Sequence, residues 1–194
     1  KQSPSVVVAS DAGAGIGYTG MRIRGSAATR INVTLNGIPL NDAESQGSFF
    51  INLPDLASSV DNIQIQRGVG TSTNGAGAFG ASLNIQTTTR RDSAYAELNN
   101  TFGSYQTWRN TVSAGTGLIN NKFSFDARLS RIKSDGYVDR ASSNLKSFFV
   151  TGAYYGKNDI LRLNVISGTE KSYQAWDGNS EERLETNRHH NDFT

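Results

Sequence analysis

Ile63-Gln-Ile-Gln-Arg-Gly-Val-Gly-Thr-Ser-Thr-Asn-Gly-Ala-Gly-Ala-Phe-Gly-Ala-Ser-Leu-Asn-Ile-Gln-Thr87 reads as two short strands joined by a loop with few side chains to obstruct the backbone. Upstream, Met21-Arg-Ile-Arg alternates apolar with basic residues and closes on Gly25. Ile31-Asn-Val-Thr-Leu is a third strand, ended by Asn36-Gly37, two residues that tolerate positive φ and so signal a tight turn; Pro39 then removes a backbone donor. Val6-Val-Val-Ala adds another strand, and only Leu53-Pro-Asp-Leu-Ala-Ser-Ser-Val-Asp suits a short helix, with Pro54 near its start. These elements predict a compact α+β domain over residues 1–90.

After Arg90-Arg91-Asp92 the segments lengthen to about ten residues and take a period of two. In Lys122-Phe-Ser-Phe-Asp-Ala-Arg-Leu-Ser-Arg, Phe123, Phe125, Ala127 and Leu129 point one way, while Ser124, Asp126, Arg128 and Ser130 point the other. Leu161, Leu163 and Val165 oppose Arg162 and Asn164 in the same manner. Residues 94–103 and 106–117 are two more strands, and 144–155 is a fifth whose register is ambiguous because Phe148 and Phe149 are adjacent. Connections alternate between tight (Leu118-Ile-Asn-Asn, Gly156-Lys-Asn-Asp) and long and polar (134–143, and the tail from Glu170). Residues 91–194 therefore form a second, antiparallel β region, and the pattern fits either a membrane barrel or a soluble sandwich. Tyr105, Trp108, Tyr137, Tyr154 and Tyr155 fall near strand ends, where girdle and packing roles are both open.

Composition narrows the function. The 194 residues hold 19 basic and 17 acidic side chains with no polybasic tract, which argues against a nucleic-acid partner. No apolar run is long enough for a spanning helix, leaving strands as the route across a membrane. The absence of cysteine excludes a thiolate metal site and a cysteine nucleophile.

Gly15-Ile-Gly-Tyr-Thr-Gly20 matches the spacing of a dinucleotide fingerprint, but a strand follows it where a helix N-terminus is required. The glycines from 68 to 80 lack the Gly-Lys-Ser/Thr ending of a phosphate loop, and Ser82 lies outside any nucleophile elbow. His189 and His190 are strand-incompatible as joint ligands of one ion, and Asp177-Gly-Asn-Ser-Glu-Glu lacks the spacing of a calcium loop. No catalytic residue, metal site or cofactor is expected. Arg22, Arg24, Arg30 and Arg67 stand out because they lie within or beside apolar strands, where a buried guanidinium needs a partner.

Five blocks occur in fixed order: Met21-Arg-Ile-Arg-Gly25, Asn32-Val-Thr-Leu-Asn-Gly-Ile-Pro-Leu-Asn41, Leu53-Pro54, Val60-Asp-Asn-Ile-Gln-Ile-Gln-Arg-Gly68 and Asn74-Gly-Ala-Gly-Ala-Phe-Gly-Ala-Ser-Leu-Asn-Ile-Gln-Thr87. Together they resemble the plug of TonB-dependent outer-membrane transporters. Gly117-Leu-Ile-Asn-Asn-Lys-Phe, Ser134-Asp-Gly-Tyr-Val-Asp-Arg and Tyr173-Gln-Ala-Trp-Asp-Gly resemble first barrel strands and loops of Bacteroidetes members.

The resemblance implies an α+β plug followed by antiparallel transmembrane strands of a partial 22-stranded barrel, with the chain a piece of a longer protein. It implies active import of a scarce solute, such as an iron chelate, haem or a cobalamin-like ligand, across the bacterial outer membrane. The partners implied are the TonB system, outer-membrane lipid, the ligand and a surface lipoprotein. Asp42, Glu44, Ser45, Gln46, Tyr173, Trp176 and Asp177 are the candidate ligand-facing residues, and Arg22, Arg24, Arg30 and Arg67 the candidate plug contacts to the barrel. The alternative from another class is a β-rich surface binding or adhesion module without transport.

Overall fold

The computed structural model describes residues 4–13, 15–69, 78–87, 89–173, 175 and 177–193. Most of the glycine-rich loop, residues 70–77, lies outside them, as does Trp176. The chain divides into two compact units, with the main break between Thr89 and Arg90. The first holds Lys1–Ala9, Thr19–Asn52 and Ser59–Thr89; the second holds Ser10–Tyr18, Leu53–Ser58 and Arg90–Thr194.

In the first unit, β1 (Val6–Ser10) pairs with β2 (Thr19–Ile23). A four-stranded sheet is built from β3 (Ile31–Leu35), β4 (Ile38–Pro39), β5 (Asn62–Arg67) and β6 (Ala81–Gln86), in the order β4-β3-β6-β5. β3 runs parallel to β6, while β4 and β5 lie antiparallel to their neighbours. The central pair β3 and β6 is buried on both faces: Ile31, Val33, Ala81, Leu83 and Ile85 on one, and Asn32, Thr34 and Ser82 on the other.

Asn36 and Gly37 turn between β3 and β4 with φ of 52° and 84°. The Asn36 side chain also donates to Thr87 Oγ1 at 2.8 Å and accepts from Thr87 N at 3.0 Å, tying the turn to the end of β6. Gly80 is required by space. A Cβ there would lie 2.6 Å from Ser26 Cβ and 2.9 Å from the Arg30 carbonyl oxygen, so the last glycine of the run lets β6 start against the segment following β2. The expected helix at 53–61 is shorter: Leu56–Ser59 forms one 3-10 turn, preceded by another at Phe50–Asn52. Pro54 and the serine pair at 58 and 59 leave too few strong helix formers to propagate an α-helix.

The second unit is an antiparallel five-stranded meander of β7 (Tyr95–Gly103), β8 (Thr107–Gly115), β9 (Phe123–Ser134), β10 (Ser143–Tyr155) and β11 (Ile160–Ser172). Its faces are inverted relative to a soluble sheet. On β9, Phe123, Phe125 and Leu129 are exposed, whereas Ser124, Arg128 and Ser130 are buried. Leu98 and Phe102 on β7, Trp108 and Val112 on β8, and Leu161, Leu163 and Val165 on β11 extend the exposed apolar face. A soluble sandwich buries that face. The register also resolves the adjacent pair on β10: Phe148 is exposed opposite Leu129, and Phe149 is buried opposite Arg128.

The buried face is a ladder of polar contacts. Thr107 meets Ser134 at 2.8 Å, Thr111 meets Ser130 at 3.3 Å, and Thr151 donates to Asn164 at 2.7 Å. Residues 116–122 and 156–159 connect strands at one end of the sheet; 104–106, 135–142 and the chain after 172 leave from the other. That tail, expected to be loop, carries α1 (Glu181–Thr186), started by Ser180, whose hydroxyl accepts from Arg183 N at 3.4 Å. The serine followed by two glutamates is an N-cap signal present in the sequence.

Candidate functional site

Two places in the second unit gather functional side chains. The first lies on the polar face of the sheet, where Leu53–Ser58 packs. Asp55 adopts φ of 51°, a left-handed conformation that Asp tolerates better than most residues. Its carboxylate accepts from Arg128 Nη1 at 3.0 Å and lies 3.7 Å from Arg109 Nη2, and both Asp55 and Arg128 are 4% exposed. Ser58 Oγ donates to Asp55 Oδ2 at 2.5 Å, and the Ser130 hydroxyl donates to the same oxygen. Arg109 also reaches the Ser58 hydroxyl, and Arg128 Nη2 donates to Ser147 Oγ at 3.2 Å.

Arg128 Nε has no hydrogen-bond partner among the described residues. The pair is thus buried and charge-balanced but incompletely bonded, a state that holds the segment without the full depth of a saturated network.

The second place is the end of the sheet from which the long connections leave. Ala12, Ala141 and Ala175 form a small buried cluster with Val138 packed against it. Tyr137 N donates to the Ala12 carbonyl at 3.0 Å, and Asp139 N to that of His189 at 2.7 Å. Buried Asn191 donates to the Asp139 carbonyl at 2.8 Å. Tyr105 meets the Tyr137 ring edge to face with centroids 5.5 Å apart, and the tilted His189 ring follows at 4.2 Å from Tyr137. His189 Nδ1 lies 2.5 Å from the Tyr137 carbonyl, and His190 Nε2 lies 2.9 Å from Asp192 Oδ1. The adjacent histidines are therefore spent on separate local contacts, and among the described residues no cluster suited to a metal occurs.

The candidate ligand-facing residues divide between the units. Asp42, Glu44, Ser45 and Gln46 are exposed and form one turn in the first unit. Asp42 Oδ1 accepts from Glu44 N at 3.1 Å, Ser45 N at 2.7 Å and Ser45 Oγ at 2.9 Å. The bonds from Ser45, the backbone one first, hold the Asp42 carboxyl below its ordinary 3.8. Asn41, not singled out from the sequence, pins this turn: it accepts from Val33 N at 2.7 Å and donates to the carbonyls of Ile31 and Gln46, each at 2.9 Å.

In the second unit, Tyr173 donates to the Phe193 carbonyl at 3.1 Å, with the Arg140 guanidinium 4.8 Å from its ring centroid, and Asp177 is exposed. Arg22, Arg24, Arg30 and Arg67 are exposed rather than buried; Arg67 donates to Ser5 Oγ at 3.3 Å. Among the described residues the buried guanidinium is that of Arg128. No signal in the sequence marked Asp55 as its partner, because nothing local to Leu53-Pro54-Asp55 anticipates strands 70 residues away.

A family model described as the TonB-dependent receptor plug domain matches residues 1–82, which include Leu53–Ser58. The fold agrees with this over nearly the whole chain: the unliganded ferric citrate transporter FecA superposes with a TM-score of 0.74 over 97% of this chain and 30% of its own, at 17% identity. Residues 1–82 match the TonB-dependent receptor plug, and the chain as a whole has the fold of such receptors.

Copper transporter OprC gives a TM-score of 0.70 at 17% identity over 87% of this chain and 27% of its own. The ferripyoverdine receptor of Pseudomonas aeruginosa gives 0.66 at 15% identity over 89% and 23%. At such identities the likeness to these receptors is one of fold, and the chain spans less than a third of each. No curated protein matches it in sequence. Like the plug-domain receptors it matches, it is an outer-membrane protein.

Proposed function

We propose that this receptor imports a scarce solute across the outer membrane, drawing energy through TonB, and that it performs no covalent chemistry. The observation that carries this is Asp55 in the matched plug region, clamped by Arg128 and Arg109 on the polar face of a sheet whose other face is apolar. Such an arrangement gives a wall to lipid and a removable obstruction to the aqueous side. The sheet would be the first five strands of a 22-stranded barrel, with residues 1–90 as plug and 91–194 as barrel.

The residues proposed to bind solute are Asp42, Glu44, Ser45 and Gln46 of the first unit and Tyr173, Trp176 and Asp177 of the second. Force applied through TonB then separates Asp55 from its arginines and opens a path. Exposed Arg22, Arg24, Arg30 and Arg67 would meet carboxylates elsewhere on the wall. A surface lipoprotein would assist at the mouth.

For cargo we favour an iron chelate, haem or a cobalamin-like ligand. Support comes from fold relatives described as a ferric citrate transporter and a ferripyoverdine receptor, while the copper transporter marks the breadth of the fold. The test is growth of a deletion strain on single sources of iron or cobalamin, with and without a functional TonB. Loss on one source, reproduced by loss of TonB, is expected. Growth unchanged on every source, with surface binding retained, would instead favour an adhesion or binding module.

A further inference from the structure

The outward face of the sheet carries a second, charged feature at one end. Register places Phe102, Trp108, Lys133, Asn144 and Lys171 in one cross-strand row, and Asn100, Asn110, Arg131, Lys146 and Thr169 in the next. The rows beyond them are apolar, beginning with Leu98, Val112, Leu129 and Phe148. Arg131, Lys133, Lys146 and Lys171 are all exposed, and none has an ion-pair partner among the described residues. Every carboxylate on the five strands (Glu97, Asp126 and Glu170) lies on the opposite face, so among the described residues no strand carboxylate faces the four cations.

Arg131 and Lys146 are direct cross-strand partners. Like charges placed directly opposite destabilise a sheet, so the arrangement, unpaired among the described residues, is relieved by an anion. Below these two cations, Val112, Leu129 and Phe148 line a shallow groove of about 470 Å³ that also borders Arg131 and Lys146. One concavity thus offers positive charge at its rim and hydrocarbon along its floor.

The level of the cations is set by the aromatics. Phe102 and Trp108 meet edge to face at 4.6 Å in the row of Lys133, and Phe123 and Tyr154 meet at 5.3 Å at the other end. Phe123 and Lys133 lie ten residues apart on β9, about 34 Å along the strand. At a tilt of about 40° that is roughly 26 Å of membrane thickness, close to the ~25 Å apolar band of an outer-membrane barrel. The cations therefore sit at the upper edge of the band, where long side chains reach the headgroups. The longest connection between strands, residues 135–142, and the polar tail after 172 leave from this end, which assigns it to the outer leaflet in the proposal.

We propose that Arg131, Lys133, Lys146 and Lys171 bind the phosphate groups of an acylated, phosphorylated outer-leaflet lipid, whose chain lies in the groove over Val112, Leu129 and Phe148. This rests on the sheet being barrel wall in the outer membrane. Charge complementarity selects the headgroup, and continuity of the groove with the apolar band selects a lipid over a soluble anion.

The test uses the receptor isolated from outer membranes and placed in phosphatidylcholine nanodiscs doped with bisphosphorylated lipid A or its dephosphorylated counterpart, with retained lipid counted by native mass spectrometry. The wild type is expected to retain the phosphorylated form preferentially. R131Q/K133Q/K146Q/K171Q is expected to lose that preference, each cation contributing about fivefold. The pair R131Q/K146Q provides a milder variant should the fourfold one fail to assemble, and K122Q/K157Q, at the opposite end, is expected to behave as wild type.

Equal retention of the two lipids by the wild type, or an unchanged preference in R131Q/K146Q, would overturn the proposal, as would inorganic phosphate displacing the lipid fully at matched concentration. Heat-modifiable mobility of the wild type in outer-membrane fractions is scored separately. Its absence counts against the barrel; its presence without a lipid preference counts against the phosphate site alone.

Discussion

Asp55 Oδ2 lies 3.0 Å from Arg128 Nη1, with both side chains 4% exposed. A buried pair of this kind contributes little relative to an apolar replacement, but breaking it from one side leaves an uncompensated charge. Asp55→Asn keeps the shape and the left-handed tolerance while removing the charge, so it isolates the electrostatic contribution. It is expected to destabilise the packing of residues 53–58 by about 3–5 kcal/mol. Amide exchange at residues 56–58 measures this. Arg128→Met combined with Asp55→Asn should recover much of the loss, since it also removes the stranded guanidinium.

If import requires Asp55 to leave its arginines, holding the segment in place must block it. The chain contains no cysteine, so Ser58→Cys with Arg109→Cys introduces the only thiols in it. Bridging them with a cleavable bifunctional reagent is expected to reduce solute uptake at least tenfold, and reductive cleavage to restore it. Uptake unaffected by the bridge would show that the obstruction opens elsewhere.

What the sequence disclosed and what it withheld differ in range. Period-two alternation on β9 and β11 gave the correct faces, because strand geometry is local. The Asn36-Gly37 turn was legible for the same reason. Phe148 and Phe149 could not be assigned, since only pairing with Leu129 and Arg128 on the neighbouring strand fixes which faces outward. The Asp55 clamp is not legible in the sequence because its partners are more than 50 residues away, and the local sign of a buried charge, an arginine flanked by apolar residues, lies elsewhere. Arg22, Arg24, Arg30 and Arg67 met that criterion yet remain exposed, whereas Arg128, in the cleanest alternating strand, is buried.

The inverted faces predict opposite tolerances at neighbouring strands. Val150 is exposed in the middle of the apolar rows, and Ser113 on β8 faces the polar side. Val150→Arg is expected to cost about 2–4 kcal/mol of barrel stability and to reduce the heat-modifiable form, as charges do at the midplane of a barrel. Ser113→Arg should cost far less. Equal sensitivity at both positions would be the behaviour of a sheet surrounded by water.

Buried Asn191 joins the tail to the 135–142 connection through the Asp139 carbonyl, at 2.8 Å. Asn191→Ala leaves that carbonyl without this donor, at an expected cost of about 1–3 kcal/mol. Because the contact holds two loops together at one end of the sheet, the change should appear as faster proteolysis within 135–142 while the strands remain protected.

Acid should release the turn at 42–46 before the sheet beneath it. Its carboxylate accepts from Ser45 and Glu44, and these bonds favour the ionised form, so the folded pKa of Asp42 is depressed below 3.8. A depressed carboxylate supplies stability that is complete above its unfolded value and lost as pH falls through the folded one. Protection of the Ser45 amide is therefore expected to be constant from neutral pH down to about 5 and to fall below 3.8, the ordinary value. Asp42→Asn should show weaker protection with no such step. The solute contact proposed for this turn would share the dependence: Glu44 and Gln46 are presented by a backbone that Asp42 and Asn41 hold in place, so affinity and amide protection should decline together as the carboxylate takes up its proton. A decline in affinity at a pH where the Ser45 amide is still protected would place the titrating group elsewhere.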